Sequence, residues 1–286
     1  MSTYATIREE VESEPTEVED IVDQNIELNF NIERKKKKEE SKKSSTGIKR
    51  WTAKQLAVKI IKLVEIITGI ELYPYQKNFV FGVITNIVES TGETLSALFS
   101  RQSGKTEAIS DVIIALMIIL PKLGRLPKME DVLPETMFDE KGRYLYRKGF
   151  WVGIFAPVKE QARTTYNRLR NRLYDDDAIE ILNSPDFRYD ITVSNGNTCA
   201  LSNGSFVECH TASDNANIES KTYHLIIVEE CQDVSDYKLQ KSISPMGAAT
   251  NAVKVYLGTS NNRKGVFLAQ IKENKKRGIE EGVKLH

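Results

Sequence analysis

Ser100-Arg101-Gln102-Ser103-Gly104-Lys105-Thr106 is the stretch on which the fold turns. A β-compatible run, Thr94-Leu95-Ser96-Ala97-Leu98-Phe99, leads into it, and Ala108 to Leu120 behind it is apolar almost throughout. Strand, loop and buried crossover helix in that order predict a phosphate-binding loop, whose backbone N–H groups and helix N-terminus face phosphate oxygens. Lys105 then brings a positive charge to the β/γ end, and the Thr106 hydroxyl stands where Mg²⁺ is held. The usual pattern is G-x-x-x-x-G-K-[ST]. Here Phe99 takes the place of its first glycine, and an Arg-Gln pair sits inside the loop.

Composition bounds what surrounds that loop. With 286 residues, 40% of them hydrophobic, the chain has material for one large α/β core. Three cysteines (Cys199, Cys209, Cys231) without C-x-x-C spacing, and only three histidines, argue against a disulfide framework or a zinc site and for a reduced intracellular compartment. No apolar stretch reaches the roughly 20 residues of a membrane span. The N-terminus is too acidic for a signal peptide. A formal net charge of zero hides an asymmetry: acidic residues dominate Glu9 to Glu33, and Arg34-Lys35-Lys36-Lys37-Lys38 with Lys42-Lys43 follow. Segregated charge with few large apolar residues reads as a disordered segment over 1–49, either a solvated tether or an electrostatic arm.

The folded part is expected to begin near Trp51, with Thr52 as N-cap of a helix over Ala53 to Thr68 that Gly69 ends. A second helix spans about Pro74 to Glu89. Pro121 to Gly149 is punctuated by Pro121, Gly124, Pro127 and Pro134 and reads as an irregular excursion with a hairpin near Glu140-Lys141-Gly142-Arg143. A strand returns at Phe150 to Phe155, followed by an amphipathic helix from Val158 to Tyr174. That helix carries Arg163, Arg168, Arg170 and Arg172, as a solvated face or as a contact for DNA. Asn203-Gly204 marks a hairpin between Cys199–Leu201 and Ser205–Cys209. His224 to Val228 and Lys254 to Leu257 read as buried strands, with a helix between about Val234 and Ile243. From Lys272 the chain turns basic and reads as a linker. Strands separated by helices point to a mostly parallel sheet flanked by helices, with its chemistry at the carboxyl ends of the strands.

Three further motifs sit at or near those ends. His224-Leu225-Ile226-Ile227-Val228-Glu229-Glu230 delivers two carboxylates from a buried strand; adjacent side chains point apart, so Glu229 is assigned to the metal and Glu230 to the attacking water. Gly258-Thr259-Ser260-Asn261 offers hydroxyl and amide groups that respond to a γ-phosphate. Leu72-Tyr73-Pro74-Tyr75-Gln76 offers a carboxamide for the edge of adenine, with an aromatic ring to stack on the base.

Together these pieces resemble the ATPase domain of the large terminase subunit, the motor that packages double-stranded DNA into tailed-phage capsids. Ser-Arg-Gln-x-Gly-Lys-Thr carries the likeness most specifically. Tyr75-Gln76, Phe155-Ala156-Pro157 with Gln161-Ala162, the acidic pair with Cys231, and Gly258-Thr259-Ser260-Asn261 support it over Leu72 to Asn262. The resemblance implies a P-loop NTPase of the ASCE/RecA-like class over 50–271. ATP would be its substrate, bound with Mg²⁺ by Ser100, Arg101, Gln102, Ser103, Gly104, Lys105 and Thr106, with Tyr75 and Gln76 at adenine. Lys105, Arg101 and Glu230 would be catalytic, Thr106 and Glu229 would hold the metal, and Thr259, Ser260 and Asn261 would couple hydrolysis to DNA movement. It also implies a portal protein and a small terminase subunit as partners, and a homo-oligomeric ring on the procapsid in the host cytoplasm, built from a chain that can be monomeric in solution.

Three departures accompany the likeness. Glu229 stands where most relatives carry Asp. Ile218-Glu219-Ser220-Lys221-Thr222 holds no arginine able to act in trans, so Lys221 or a helix arginine substitutes, or Arg101 works alone. Residues 272–286 read as a basic linker toward a nuclease domain that the chain does not contain. The competing readings are a helicase-type ATPase and a non-catalytic nucleotide-binding interaction module.

Overall fold

In a computed structural model, the described residues are 50–99, 103–216, 218, 221–259, 265–282 and 285–286. The chain divides into two units, residues 1–47 and 48–286. The charged N-terminal segment lies outside the described residues, as do Ser100, Arg101, Gln102, Ser260 and Asn261.

The elements in chain order are α1 (Ala53–Thr68), α2 (Pro74–Val88), β1 (Thr94–Leu98), α3 (Lys105–Leu123), β2 (Trp151–Ala156), α4 (Lys159–Leu173), α5 (Asp176–Asn183), β3 (Ile191–Ser194), β4 (Thr198–Leu201), β5 (Phe206–Thr211), β6 (Leu225–Val228), β7 (Val253–Gly258) and α6 (Val266–Glu281). The seven strands form one sheet in the order β1-β7-β6-β2-β5-β4-β3. The four pairings from β1 through β5 are parallel, and β5-β4-β3 closes antiparallel, so the sheet is mostly parallel as the alternation of elements requires.

Alternation along the strands builds two cores. Leu225 and Ile227 of β6, with Val152 and Ile154 of β2, face α1 to α4, whereas Ile226, Val228 and Phe155 face the segment between β6 and β7 together with α6. From Ala108 to Pro121 every residue of α3 is buried, which explains its all-round apolar sequence: the helix lies against the sheet and is enclosed by α1, α2 and α4. Helix α1 begins where expected, with a capping box: the Gln55 N–H donates to Thr52 Oγ1 (3.2 Å), and the Thr52 N–H donates to Gln55 Oε1 (3.0 Å).

One expectation is refined and one corrected. Between β6 and β7 the expected helix is present but π-helical, over Lys238–Ile243, and it passes into 3₁₀ turns over Ser244–Thr250, where Pro245 has no N–H for a regular ladder. Conversely, Lys272 to Arg277 do not form a linker. They lie within α6, anchored by buried Phe267, Ile271 and Asn274 and by Arg277, whose guanidinium donates to both Glu93 oxygens at 2.8 and 2.9 Å.

Candidate functional site

The phosphate loop ends in a left-handed Gly104 (φ 71°, ψ 16°) that turns the chain into α3. Any larger residue would be strained there, and its Cβ would lie 2.5 Å from Gln76 Nε2. The first turn of α3 therefore presents its N-terminal N–H groups, Lys105 and Thr106 at the carboxyl end of β1. Strand β6 ends two positions along the sheet, and its carboxylates reach the same lysine. Lys105 Nζ donates to Glu230 Oε1 at 2.9 Å and lies 3.8 Å from Glu229 Oε2.

The two carboxylates occupy different surroundings. Glu229 is 4% exposed, and Thr165 Oγ1 of α4 donates to its Oε1 at 2.9 Å. Burial raises its pKa above the ordinary carboxylate value, while the Lys105 charge and the Thr165 hydroxyl oppose that rise. Glu230 is more open and adopts φ 45°, ψ 45°, a left-handed conformation that a non-glycine side chain holds at a cost of about 1–3 kcal/mol. The pair does not point apart as an extended strand end would have it: β6 ends at Val228, Glu230 is left-handed, and both carboxylates converge on Lys105 while differing in burial.

Gln76 and Tyr75 buttress the loop from α2. Gln76 is buried, its Oε1 accepts the Tyr73 N–H (2.9 Å), and its Nε2 donates to the Gly104 carbonyl (3.2 Å). Tyr75 Oη donates to the Ser103 carbonyl at 2.7 Å, and its ring stacks on Tyr73 with centroids 5.9 Å apart. Both tyrosines are exposed beside the loop. The Ser103 hydroxyl is buried without a hydrogen-bond partner among the described residues. Thr259 stands at the end of β7, where its N–H donates to Gln232 Oε1 (3.3 Å). Sequence alone singles out neither Gln232 nor Thr165; a glutamine after an acidic pair and a threonine inside an amphipathic helix carry no signal until the fold brings them to the carboxylates.

Four of the basic candidates, Arg163, Arg168, Arg172 and Lys221, prove to be paired. Arg168 and Arg172 both donate to Glu107 at 2.5 Å, and Arg172 also meets Asp175 at 2.9 Å and buried Asp111 at 3.5 Å. Arg163 pairs with Glu160. Lys221 donates to Glu208 Oε1 (3.1 Å), while Tyr223 Oη donates to Glu208 Oε2 (2.9 Å) and contacts His210. Hydrogen bonding by His210, with Tyr223 and Lys221 behind it, lowers the Glu208 pKa to about 2.

Divalent metal chemistry fits this donor set. Among the described residues no group of three or more His, Cys, Asp or Glu gathers to hold an ion. Mg²⁺ does not need one, because it keeps several waters and takes its remaining oxygens from one or two protein groups and the substrate phosphates. A loop hydroxyl and the buried, hydrogen-bonded Glu229 carboxylate are hard oxygen donors of that kind.

A parallel sheet with a lysine-bearing loop after its edge strand and a carboxylate pair two strands over defines a P-loop nucleoside triphosphatase. Comparison with solved structures agrees. The Thermus phage P74-26 large terminase ATPase domain superposes with a TM-score of 0.52 at 14% identity, over 77% of this chain and 76% of that one. An arginine-to-alanine mutant of the same domain gives 0.51 at 14%, over 72% and 71%. The HK97 bacteriophage large terminase gives 0.50 at 15%, over 79% of this chain and 42% of that one. A comparison with curated proteins returned no significant match. The sequence profile of the terminase large subunit, T4likevirus-type, N-terminal family matches residues 97–283, and the chain belongs to that family. It is accordingly an ATPase of viral DNA packaging, and domains of this kind use ATP with a divalent metal. No helix among the described residues is long and apolar enough to cross a membrane.

Proposed function

We propose that this ATPase drives double-stranded DNA into a procapsid, with Lys105 and the N-terminus of α3 binding the β- and γ-phosphates and Glu230 activating the attacking water. Convergence of Lys105 with Glu229 and Glu230 supports this reading most directly. The carboxylates hold the lysine in the place that phosphate oxygens would take, and an incoming γ-phosphate, with more negative charge, competes for it. Glu230 accepts a proton from water at the oxygen from which the lysine has been drawn. Thr106 and Glu229 would hold Mg²⁺, which supplies charge neutralisation for the triphosphate. The extra methylene of glutamate reaches further than aspartate, and the Thr165 hydroxyl fixes where that added length points.

Tyr75 and Tyr73 offer the stacking surface for adenine. Gln76, committed to Tyr73 and Gly104, braces the loop and keeps its second Nε2 hydrogen as the means of touching a base edge. Arg101 is proposed to stabilise the γ-phosphate, and Thr259, Ser260 and Asn261 to transmit its loss to DNA. By family, the partners are a portal protein, a small terminase subunit and further copies of this chain in a ring at the procapsid, in the host cytoplasm. DNA-stimulated ATP hydrolysis tests the assignment: Glu230→Gln should lower kcat by about 10²- to 10⁴-fold while ATP still binds, and a variant that turns over at the wild-type rate removes Glu230 from the chemistry.

A further inference from the structure

Gln232 touches the proposed reaction centre with one end of its side chain and the end of β7 with the other. Its Nε2 donates to Glu230 Oε2 at 2.7 Å and lies 3.3 Å from Asp233 Oδ2, while its Oε1 accepts the Thr259 N–H at 3.3 Å. These partners fix the orientation of the amide, because a flipped group would set its oxygen against two carboxylates. The side chain is 9% exposed, and Gly258 makes room for it: a Cβ on Gly258 would lie 2.3 Å from Gln232 Oε1.

Local backbone explains how residue 232 comes back to residue 230. The left-handed Glu230 starts a 3₁₀ turn over Cys231–Asp233, closed by the Asp233 N–H on the Glu230 carbonyl (2.9 Å). One tight turn thus returns the Gln232 amide to the carboxylate two residues earlier. The strained conformation at Glu230 is part of the same construction.

We infer that Gln232 is a positioning residue that holds Glu230 when Lys105 leaves it for phosphate, and that links the orientation of that carboxylate to the backbone of Thr259. The inference rests on the reading of Glu230 as the water-activating group. In the present arrangement Glu230 has a cation on Oε1 and an amide on Oε2. A γ-phosphate draws the cation away, and the bond from Gln232 remains. A neutral amide suits this role because it orients the carboxylate without neutralising the charge that draws a proton from water. When Glu230 rotates toward that water Gln232 follows, and its Oε1 shifts against the Thr259 N–H. The state of the γ-phosphate thereby reaches the end of β7 through two hydrogen bonds.

Two variants separate the ends. Gln232→Met keeps length and removes the bonds to Glu230 and Thr259, whereas Gln232→Glu keeps an acceptor for Thr259 and replaces the donor facing Glu230 with a like charge. Steady-state ATP hydrolysis gives kcat and KM, and amide hydrogen exchange at Thr259 is followed with and without a non-hydrolysable ATP analogue. Both variants should lower kcat by about 10- to 100-fold, as misplacing a reacting group does, with KM for ATP within about threefold. Only Gln232→Met should expose the Thr259 amide in the nucleotide-free protein, and both should lose its response to the analogue. A Gln232→Glu protein with wild-type kcat overturns the positioning role, and unchanged Thr259 exchange in Gln232→Met overturns the link. Glu230→Gln tells the two readings apart: if it turns over normally, the assignment of Glu230 fails, whereas if it is inactive and both Gln232 variants are normal, only the role of Gln232 falls.

Discussion

Lys105 and Glu107 leave the same first turn of α3, two residues apart, and enter two ionic clusters of different character. Lys105 meets Glu230 and Glu229 at a strand end beside the loop, where the proposed function has a more negative ligand take it over. Glu107 is bound by Arg168 and Arg172 of α4, and Arg172 continues to Asp111 one turn further along α3 and to Asp175. The first cluster pairs groups that the chemistry can separate. The second ties two helices together and engages its cations with carboxylates of the same chain. Arginines on an amphipathic helix therefore do not advertise a nucleic-acid surface by themselves; Arg168 and Arg172 face the neighbouring helix, where two carboxylates on α3 await them.

The strongest break in that contrast is on the ligand side. Lys105→Ala should abolish most of the thermal stabilisation by Mg-ATP, which for the wild type at a hundred times Kd amounts to about 2.7 kcal/mol, and calorimetric melting with and without nucleotide measures it. Next comes the clamp: Arg172→Ala leaves Asp111 and Glu107 short of a cation and should cost about 2 kcal/mol of unfolding free energy, read from urea midpoints, with kcat for ATP changed less than twofold. If kcat falls with stability unchanged, the second cluster belongs to the chemistry after all.

A third effect concerns pH. Burial raises the Asp111 pKa to about 7, against the opposing charge of Arg172. The folded chain thus keeps a proton there that the unfolded chain releases near pH 4, so the associated stability is full below about pH 4 and is lost as pH rises through about 7. Asp111→Asn has no such proton. Between pH 5 and 8 the wild type should lose about 2–3 kcal/mol more than the variant, and parallel urea titrations of the two proteins across that range would contradict the buried-acid account.

How far the sequence can be read depends on the kind of signal. Helix α1 announces itself through Thr52, Gln55 and helical apolar spacing, and β6 through four apolar residues ahead of two acids. The Asn203-Gly204 hairpin is equally local. Helix α5 and strand β3 escape a sequence reading because Asp176–Asn183 is short and Ile191–Ser194, although it alternates, is only four residues long on an edge strand exposed over its last three residues. Helix α6 passes for a linker because three buried residues suffice to seat it, and the helix expected before Ser244 is π-helical and gives way to 3₁₀ turns next to Pro245. At the site, loop and acids are legible as motifs, whereas Thr165 and Gln232 gain meaning only from strand order, which sets β6 between β2 and β7. Arg101, Ser260 and Asn261 lie outside the described residues, and their roles rest on the motifs alone.

Finally, the two rims of the sheet differ in what they offer to a stranger. On the β1 side, the Ser96 N–H donates to the Leu285 carbonyl at 2.8 Å, and Asn274 Nδ2 donates to the Thr94 and Leu285 carbonyls at 2.9 and 2.8 Å. Backbone groups of the phosphate-loop strand are thus occupied by the chain itself. On the other side, β3 is four residues long and its pairing with β4 is interrupted by a bulge, so a foreign strand finds little to template on. A sheet with one rim occupied and the other broken resists runaway strand addition when many copies crowd together.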